Sequence, residues 1–454
     1  MGAGAPRGAG GAGRGPGPGG LRASLAGLTT RGRSFLAAGT AAAVCAYVLG
    51  QGELLRVGLL LAALPLVCVL ALHRTRHRVA GSRRLTPVRV PAGAEARVQL
   101  RVDNVSRLPT GLLMLQDRVP YVLGPRPRFV LDRVEAGGRR EVSYRVRSDL
   151  RGRYPLGPLQ LRLTDPFGLV ELTRSFSTYD LLTVVPRTEE LAPSRLTGES
   201  SGYGDGSRRA LALAGDDDVI PRGYRRGDDL RRVHWRSTAR YGELMVRREE
   251  QPQRSRATVL LDTRAVAFEG AGPDSAFEWA VSAAASTLVH LLERGFAVRL
   301  VTDTGSSVPG EGGGFSSGGS ESAEASGLMM DTLAVVGHSD GAGLSRAYDA
   351  LRSGDGGGAG SGGDGLLIAF FGDLDDVQTE MAAKMRGRSG AAVAFVLDPD
   401  RWAGRPGGQA EERLHRLRET GWAALAVPPG AAFGDLWRQA GSAPLDAQTS
   451  GGRS

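Results

Sequence analysis

The sequence has few of the residues from which disulfides, metal centres and cofactor sites are usually built. Its 454 residues include two cysteines and six histidines. Cys45 and Cys68 both lie inside apolar runs, so we interpret them as small hydrophobic side chains. No disulfide framework and no zinc-ligand spacing remains. We therefore expect neither a structural metal nor a cofactor.

Lysine and aromatic residues are also scarce. Lys384 is the single lysine, so the formal net charge of +9 comes almost entirely from arginine. The arginines are scattered and aromatic residues make up only 6% of the chain, which lacks the basic and aromatic clustering of a nucleic-acid interface. We attribute the arginine content to a GC-rich coding bias, and we expect no nucleic-acid partner.

Glycine, in contrast, is abundant, with 67 residues. Much of it falls in 1–20, 305–327 and 353–365, where too little apolar surface is available to offset chain entropy. We predict a disordered basic tail over 1–33, a disordered insert at 305–327 and a disordered tail over 441–454.

Two uncharged apolar runs follow the N-terminal tail, Ser34–Gly50 and Val57–Leu72. A spanning helix needs about 20 apolar residues, and helices satisfy their own backbone in lipid. We predict two transmembrane helices within 34–72, joined by a turn over Gln51–Arg56. The alternative is a cleaved signal peptide ending near Gly50, but the second run would then act as a stop-transfer segment.

Basic residues flank both runs. They are Arg7, Arg14, Arg22, Arg31 and Arg33 before the first run, and Arg74, Arg76, Arg78, Arg83 and Arg84 after the second. The positive-inside rule then places both flanks in the cytoplasm. We expect a two-span, multi-pass protein of the cell membrane that contacts lipid, with its N-terminus and C-terminal domains cytoplasmic. We interpret His73 and His77 as juxtamembrane residues rather than metal ligands.

Residues 85–186 alternate apolar and polar side chains. The clearest runs are Ala96–Asp103, Glu141–Arg147 and Leu159–Leu163, separated by Gly, Pro and Asn turns. Period-two alternation between turns is typical of an antiparallel β-sandwich with one solvated face. Arg151–Gly157 precedes the last run and is expected to form a structured corner.

The densest polar motif lies in the following segment, 187–256, which we interpret as a linker that carries it. Arginines, aspartates and aromatic residues alternate between Arg222 and Arg247, and guanidinium groups can both pair with carboxylates and stack on rings. The motif is therefore either a self-paired network or a surface for a partner's acidic or phosphorylated groups. Its candidate partner-binding residues are Tyr224, Arg225, Asp228, Asp229, Arg231, Arg232, His234, Trp235, Arg236 and Arg240. We expect no catalytic residue, because His234 has no Ser or Cys nucleophile at a telling spacing.

Residues 257–440 alternate apolar runs with helical stretches, which predicts a doubly wound α/β domain with a parallel sheet. Four aspartates, Asp262, Asp303, Asp373 and Asp398, each follow an apolar strand directly. Ligands bind at the carboxyl ends of such strands, and carboxylates suit a magnesium ion. The alternative is that each aspartate caps the helix or turn that follows.

The run from Tyr224 to Val246 resembles the signature of the bacterial domain of unknown function 58 (DUF58) family. Arg151–Pro158 and Thr164–Leu169 resemble the segment that precedes it in that family, and two N-terminal membrane spans are usual there. The resemblance covers most of the chain. It implies a von Willebrand factor A-like C-terminal domain and an association with a MoxR-type AAA ATPase, often together with a transglutaminase-like membrane protein. It implies no established activity.

The von Willebrand A resemblance bears on the metal question. Its metal site uses Asp-x-Ser-x-Ser after the first strand, whereas this chain has Arg264 and Val266 in place of the serines. A guanidinium competes with a cation, and valine cannot ligate one. We expect Arg264 to pair with Asp373 or Asp303 and the domain to bind no metal.

Three functions are compatible with these patterns. The favoured one is a membrane-anchored, non-catalytic adaptor or scaffold that presents a metal-independent von Willebrand A-like domain to a MoxR-type AAA ATPase in envelope-related complex assembly. The alternative is a hydrolytic or metal-dependent enzyme with its site at Asp262, Asp303 and Asp373. A third is nucleic-acid binding through Arg225, Arg226, Arg231 and Arg232, which would weaken as salt rises.

Overall fold

The computed structural model describes residues 27–76, 79–107, 109–194, 196, 221–224, 233, 235–247, 256–309, 320–353, 365–387, 389–406 and 410–442. The chain divides into two compact units, the first ending at Val185 and the second beginning at Pro186. The disorder predicted for 1–26 and 443–454 lies outside the described residues. The disordered tail predicted over 441–454 is wrong at its start, because a helix extends to Ser442.

The first unit opens with a helical hairpin made of α1 (Thr30–Leu49) and α2 (Gly52–Arg76). Both helices are long and apolar enough to cross a membrane. The expectation that the tail extends to residue 33 is wrong at its end, because Thr29 caps α1 by accepting a hydrogen bond from the Gly32 backbone N–H at 3.2 Å. The turn is also shorter than predicted: only residues 50–51 separate the helices, and Gly50 adopts a φ of 65° that favours glycine.

Two glycines bring the hairpin's backbones into contact. A Cβ atom on Gly39 would lie 2.5 Å from the backbone nitrogen of Ala62, and one on Gly58 would lie 2.7 Å from that of Ala43. Side chains larger than hydrogen would force the helices apart at both positions. Small residues that allow close backbone approach are typical of helix pairs in membranes.

A strand-rich domain, residues 79–185, completes the first unit. Its strands are β1 (Val79–Thr86), β2 (Arg89–Pro91), β3 (Glu95–Asn104), β4 (Leu112–Asp117), β5 (Arg128–Leu131), β6 (Arg139–Arg147), β7 (Gly152–Leu156), β8 (Leu159–Thr164), β9 (Glu171–Phe176) and β10 (Asp180–Val185). They form sheets in the orders β1-β3-β6, β2-β10-β7 and β5-β4-β8-β9, antiparallel except for the β2–β10 pair. Buried side chains from all three sheets share one core.

Two sequence interpretations of this domain are wrong. Its first strand begins at Val79, six residues before the predicted start at residue 85, and the segment expected to be a corner contains strand β7, which pairs with β10. The sequence predicts that Arg83 belongs to the basic membrane flank, yet its side chain is only 2% exposed. Arg83 therefore belongs to the domain interior and cannot serve as evidence for membrane orientation.

Arg83 lies at the centre of a buried polar network. Its Nε and Nη2 donate to the two oxygens of Asp117 at 2.9 and 2.6 Å, and its Nη1 donates to Asp180 at 3.0 Å and to the Leu156 carbonyl at 2.8 Å. The Tyr144 hydroxyl donates to Asp117 at 2.6 Å. Burial alone would lower the pKa of Arg83, but the hydrogen bonds and charge of Asp117 and Asp180 raise it, so Arg83 is held charged. This network ties strands of different sheets together.

The hairpin is joined to the strand-rich domain through the loop between β8 and β9. The Thr29 backbone N–H donates to the Leu169 carbonyl at 2.9 Å, and Leu28 and Val170 form an antiparallel bridge. A Cβ atom on Gly32 would lie 2.2 Å from the Leu169 oxygen. The start of α1 is therefore fixed against this loop by backbone contacts.

The second unit begins with a small antiparallel pair, β11 (Pro221–Gly223) and β12 (Met245–Arg247), around helix α3 (Trp235–Tyr241). A larger sheet follows, with strands β13 (Arg256–Leu261), β14 (Ala297–Thr302), β15 (Ser307–Val308), β16 (Leu366–Phe371), β17 (Ala391–Leu397) and β18 (Ala423–Val427). Its order is β15-β14-β13-β16-β17-β18, and all neighbours are parallel except β14 and β15. The predicted parallel sheet is confirmed.

Helices cover both faces of this sheet. They are α4 (Ala276–Glu293), α5 (Ser320–Val335), α6 (Ser345–Ser353), α7 (Asp376–Arg386), α8 (Pro399–Trp402), α9 (Ala410–Glu419) and α10 (Phe433–Ser442). Side chains of α4, α5 and α10 contribute to one core, and those of α6, α7 and α9 to another. The disordered insert predicted at 305–327 is wrong at both ends, because it contains β15 and the start of α5; residues 310–319 lie outside the described residues.

Candidate functional site

The predicted partner-binding motif is described only in part. Arg225, Asp228, Asp229, Arg231, Arg232 and His234 lie outside the described residues, as does the side chain of Arg236. Tyr224 is half-buried, and its backbone N–H donates to the Leu244 carbonyl at 2.7 Å. Arg240 is exposed. Whether the motif acts as one surface therefore stays a prediction.

Helix α3 presents the motif's tryptophan to solvent. Trp235, at the first position of the helix, is 71% exposed, and Tyr241, at its last, is 64% exposed. Gly242 then turns the chain with a φ of 72°, and the Met245 backbone N–H donates to the Thr238 hydroxyl at 3.1 Å. These contacts fix the return into β12. An exposed indole on a positioned helix is the kind of side chain that anchors protein interfaces.

The second candidate site lies at the carboxyl ends of the parallel strands. Asp262 follows β13, Asp303 follows β14 and Asp373 comes two residues after β16. Because β13 lies between β14 and β16 in the sheet, the fold brings these three aspartates to one edge. Asp398 follows β17, which lies between β16 and β18, and caps α8 by accepting from the Asp400 backbone N–H at 3.0 Å.

Asp262 is completely buried and both of its oxygens have partners. Arg264 donates from Nε at 2.9 Å to one oxygen and from Nη2 at 2.7 Å to the other. The backbone N–H groups of Arg264 and Gly372 donate to the same carboxylate at 3.1 and 3.2 Å. This four-donor arrangement leaves the carboxylate little capacity to ligate a cation.

The expected pairing of Arg264 is therefore corrected. Arg264 pairs with Asp262, two residues away, and donates from Nη2 to the backbone carbonyl of Asp373 at 2.8 Å. Burial raises the pKa of the Asp262 carboxyl, and Arg264 opposes that effect. The pKa of Arg264 is raised, because the hydrogen bonds and charge of Asp262 outweigh the cost of burial. The guanidinium therefore stays charged and balances the Asp262 carboxylate inside this edge of the sheet.

Asp303 is held by hydroxyl and backbone donors. Its Oδ1 accepts from the Thr263 backbone N–H at 2.8 Å and from the Thr263 hydroxyl, and its Oδ2 accepts from the Ser339 hydroxyl at 2.6 Å. The Ser339 backbone N–H donates to the Thr263 carbonyl at 2.7 Å. The sequence analysis did not identify Ser339, which lies 36 residues after Asp303. The run 337–341 is rich in residues that form turns, and this was the one indication in the sequence of a loop at this position.

Asp373 is the most accessible of the three, with its side chain 39% exposed, and Arg413 of α9 donates to it. All three aspartates therefore have internal partners. Among the described residues, no group of three or more His, Cys, Asp or Glu side chains is arranged as metal ligands. Beside them, the short turn after β13 leaves Val266 73% exposed.

Comparison with known proteins points to a family of unknown function. Residues 221–352 match the family described as "Protein of unknown function DUF58". The uncharacterized protein YeaD of Bacillus subtilis (strain 168) is 27% identical over 282 residues, which cover 58% of this chain. The match spans 65% of YeaD, just under two thirds of its length.

Two of the solved structures to which this chain is similar have low TM-scores. The CARDB domain of a Pyrococcus furiosus protein, crystallised with di-metal ions, is 12% identical with a TM-score of 0.18, covering 24% of this chain and 87% of its own. The sporulation control protein Spo0M of Bacillus subtilis is 13% identical with a TM-score of 0.16, covering 24% of this chain and 49% of its own. Scores this low carry no argument about fold or function. The DUF58 resemblance is confirmed over residues 221–352, the stretch that contains Trp235, Arg264 and Ser339.

Proposed function

We propose that this protein is a membrane-anchored, non-catalytic adaptor. Its hairpin crosses the cell membrane with both ends cytoplasmic, and its α/β domain, a metal-independent von Willebrand A-like module, binds a MoxR-type AAA ATPase during assembly of envelope-related complexes. A transglutaminase-like membrane protein is a second expected partner. The ATPase, the von Willebrand A relationship and the cellular process rest on the family resemblance.

The observation that supports a non-catalytic role is the Asp262–Arg264 pair. In an enzyme that uses a cation at this edge, the carboxylate would face a metal or substrate, whereas here Arg264 covers it at 2.7 Å. A guanidinium that is 3% exposed cannot leave without uncovering a buried carboxylate. This favours a binding face whose buried carboxylate is already neutralised by Arg264 over a metal-dependent hydrolase.

The metal-independent part can be tested with cations alone. We expect magnesium or manganese to leave the thermal midpoint of the purified protein unchanged. The matched variant combines Arg264→Ser with Val266→Ser, which supplies the two hydroxyls that the chain lacks, and its midpoint should rise with the cation. A cation-dependent rise in the unmodified protein that Asp262→Ala abolishes would contradict the proposal and favour the enzyme.

The partner can be tested by capture from membranes. The full chain should retain the ATPase in a nucleotide-dependent manner, and Trp235→Ala should weaken capture about tenfold or more, since buried interface aromatics contribute about 2 kcal/mol or more. Leu328→Ala is the matched control, because Leu328 is a half-exposed apolar side chain in the middle of α5. Failure to enrich the ATPase in any nucleotide state would refute the adaptor proposal.

A further inference from the structure

We propose that the strand-rich domain contacts the same bilayer as the hairpin, through an apolar end formed by Val105, Leu112 and Phe167. We call this surface the lipid-facing end. The proposal rests on the membrane-spanning hairpin proposed above and adds a second, non-helical contact with lipid. Its occupant is the headgroup and upper acyl region of the bilayer that surrounds the hairpin.

The first argument is length. The core shared by hairpin and strands reaches Leu36 on α1 and Leu64 on α2. From these residues to the helix ends at Leu49 and Gly52, the helices rise about 20 and about 18 Å at 1.5 Å per residue. A hydrocarbon core is about 30 Å thick. The bilayer must therefore extend past the free part of the hairpin to the level of the strand-rich domain.

The second argument is which end of the domain lies at that level. The β8–β9 loop contacts the start of α1, and Phe167 lies in this loop, 60% exposed. Leu112 is paired with Thr164, the residue at which β8 enters the loop, and is 47% exposed. Val105 is 71% exposed and directly follows β3. The last residue of β3 pairs with Val79, which comes just after α2. All three apolar side chains thus lie at the end from which the hairpin emerges.

The third argument is that the loop's backbone tolerates a water-poor environment. The Asp165 carboxylate accepts from the backbone N–H groups of Phe167 at 3.1 Å and Val170 at 2.6 Å. The Gly168 N–H donates to the Asp165 carbonyl at 3.0 Å, and the Asp165 N–H donates to the Val170 carbonyl at 3.2 Å. Unsatisfied backbone groups are the main cost of placing a loop near lipid. Here that cost is largely removed, and Phe167 can be buried among the lipids.

The test measures the depth of a fluorescent probe on the full chain in phosphatidylcholine–phosphatidylglycerol vesicles. Cys45→Ala and Cys68→Ala remove the native thiols, and Phe167→Cys carries an environment-sensitive nitrobenzoxadiazole label. The matched control is Tyr121→Cys. Tyr121 is 95% exposed and follows β4 at its Asp117 end, opposite to Leu112. A third site, Val44→Cys, reports on the hairpin itself, where Val44 is 64% exposed.

With nitroxide-labelled lipids, the probes at 44 and 167 should lose most of their intensity and emit at shorter wavelength, while the probe at 121 should not change. Quenching at 44 without quenching at 167 overturns the lipid-facing end and leaves the anchor intact. No quenching at 44 refutes the anchor and this proposal with it. Equal quenching at 121 and 167 would also overturn it, since the domain would then have no preferred end. Leu112→Cys repeats the measurement at a second residue of the same end.

Discussion

The buried Asp262–Arg264 pair gives the sharpest prediction for stability. Arg264→Met keeps an unbranched side chain of similar length but removes the charge and the three donated hydrogen bonds of the guanidinium. The Asp262 carboxylate would then be buried with two backbone donors and no countercharge. Removing one partner of a buried pair costs about 3–5 kcal/mol, a large part of the roughly 5–15 kcal/mol that stabilises a typical domain.

Urea unfolding followed by tryptophan fluorescence isolates this effect. All five tryptophans, at positions 235, 279, 402, 422 and 437, lie in the second unit, and the last two are buried. The signal therefore reports unfolding of the α/β unit alone, even in the full chain. With a slope of about 1–3 kcal/mol per molar urea, Arg264→Met should lower the midpoint by about 1 M or more.

Two controls separate the ion pair from general damage. Arg405→Met removes an exposed arginine that forms ion pairs with Glu269 and Asp400. This variant should have a urea midpoint close to that of the unmodified protein. Asp262→Asn combined with Arg264→Met removes both charges while retaining an oxygen for the Gly372 N–H, and should recover a large part of the loss. An unchanged midpoint for Arg264→Met, or a double variant less stable than the single one, would refute this reasoning.

Three further predictions concern other parts of the chain. Arg83→Met should destabilise the strand-rich domain by about 3–5 kcal/mol, because the substitution leaves the buried Asp117 carboxylate without its countercharge. Circular dichroism of the β-sheet signal would detect this loss of stability, with little change in tryptophan fluorescence. Gly39→Leu should separate the hairpin's helices and cost about 1–3 kcal/mol, seen as earlier thermal aggregation in detergent, whereas Gly52→Leu, where the added Cβ meets no atom within 4 Å, should not. Burial lowers the pKa of His290 below its ordinary 6.5, so the unfolded chain binds the proton more readily than the folded chain. The free energy of unfolding should therefore fall as the pH drops below about 6.5. His290→Gln should flatten this dependence between pH 7.5 and the folded-state pKa, and an unchanged dependence of stability on pH would contradict the role given to His290.

The sequence predicted those elements whose burial follows a hydrophobic period. Strand β3 alternates buried and exposed residues along its length, and β13 and β16 are apolar almost throughout. The first pattern predicts a strand with one solvated face, and the second predicts strands buried on both faces. Strand β1 was not predicted, since two of its inward positions are Gly81 and Arg83. Glycine makes room there for the Phe176 ring, and arginine is neutralised by two aspartates on other strands. Neither compensation is visible in local sequence.

In the candidate site too, some features could be predicted from local sequence and others depend on contacts formed only in the folded chain. That Asp262, Asp303 and Asp373 meet at one edge followed from their positions after parallel strands, and the neutralising role of Arg264 followed from its charge. The partner of Arg264 did not, because a two-residue separation in sequence gives no indication that the side chain folds back onto Asp262. The contribution of Ser339 depends on a backbone bridge between Arg264 and Ser339, which only the folded chain reveals.

The two-residue turn at Gly50 has a consequence for where this protein can be recognised. In the bilayer arrangement proposed above, residues 50–51 are all that links the two helices on the far side of the membrane. So little chain offers a soluble factor on that side almost no area to hold, far below the roughly 800 Å² per partner of a standard interface. Signals from outside the cell would have to reach this protein through another membrane protein that packs beside the hairpin within the lipid.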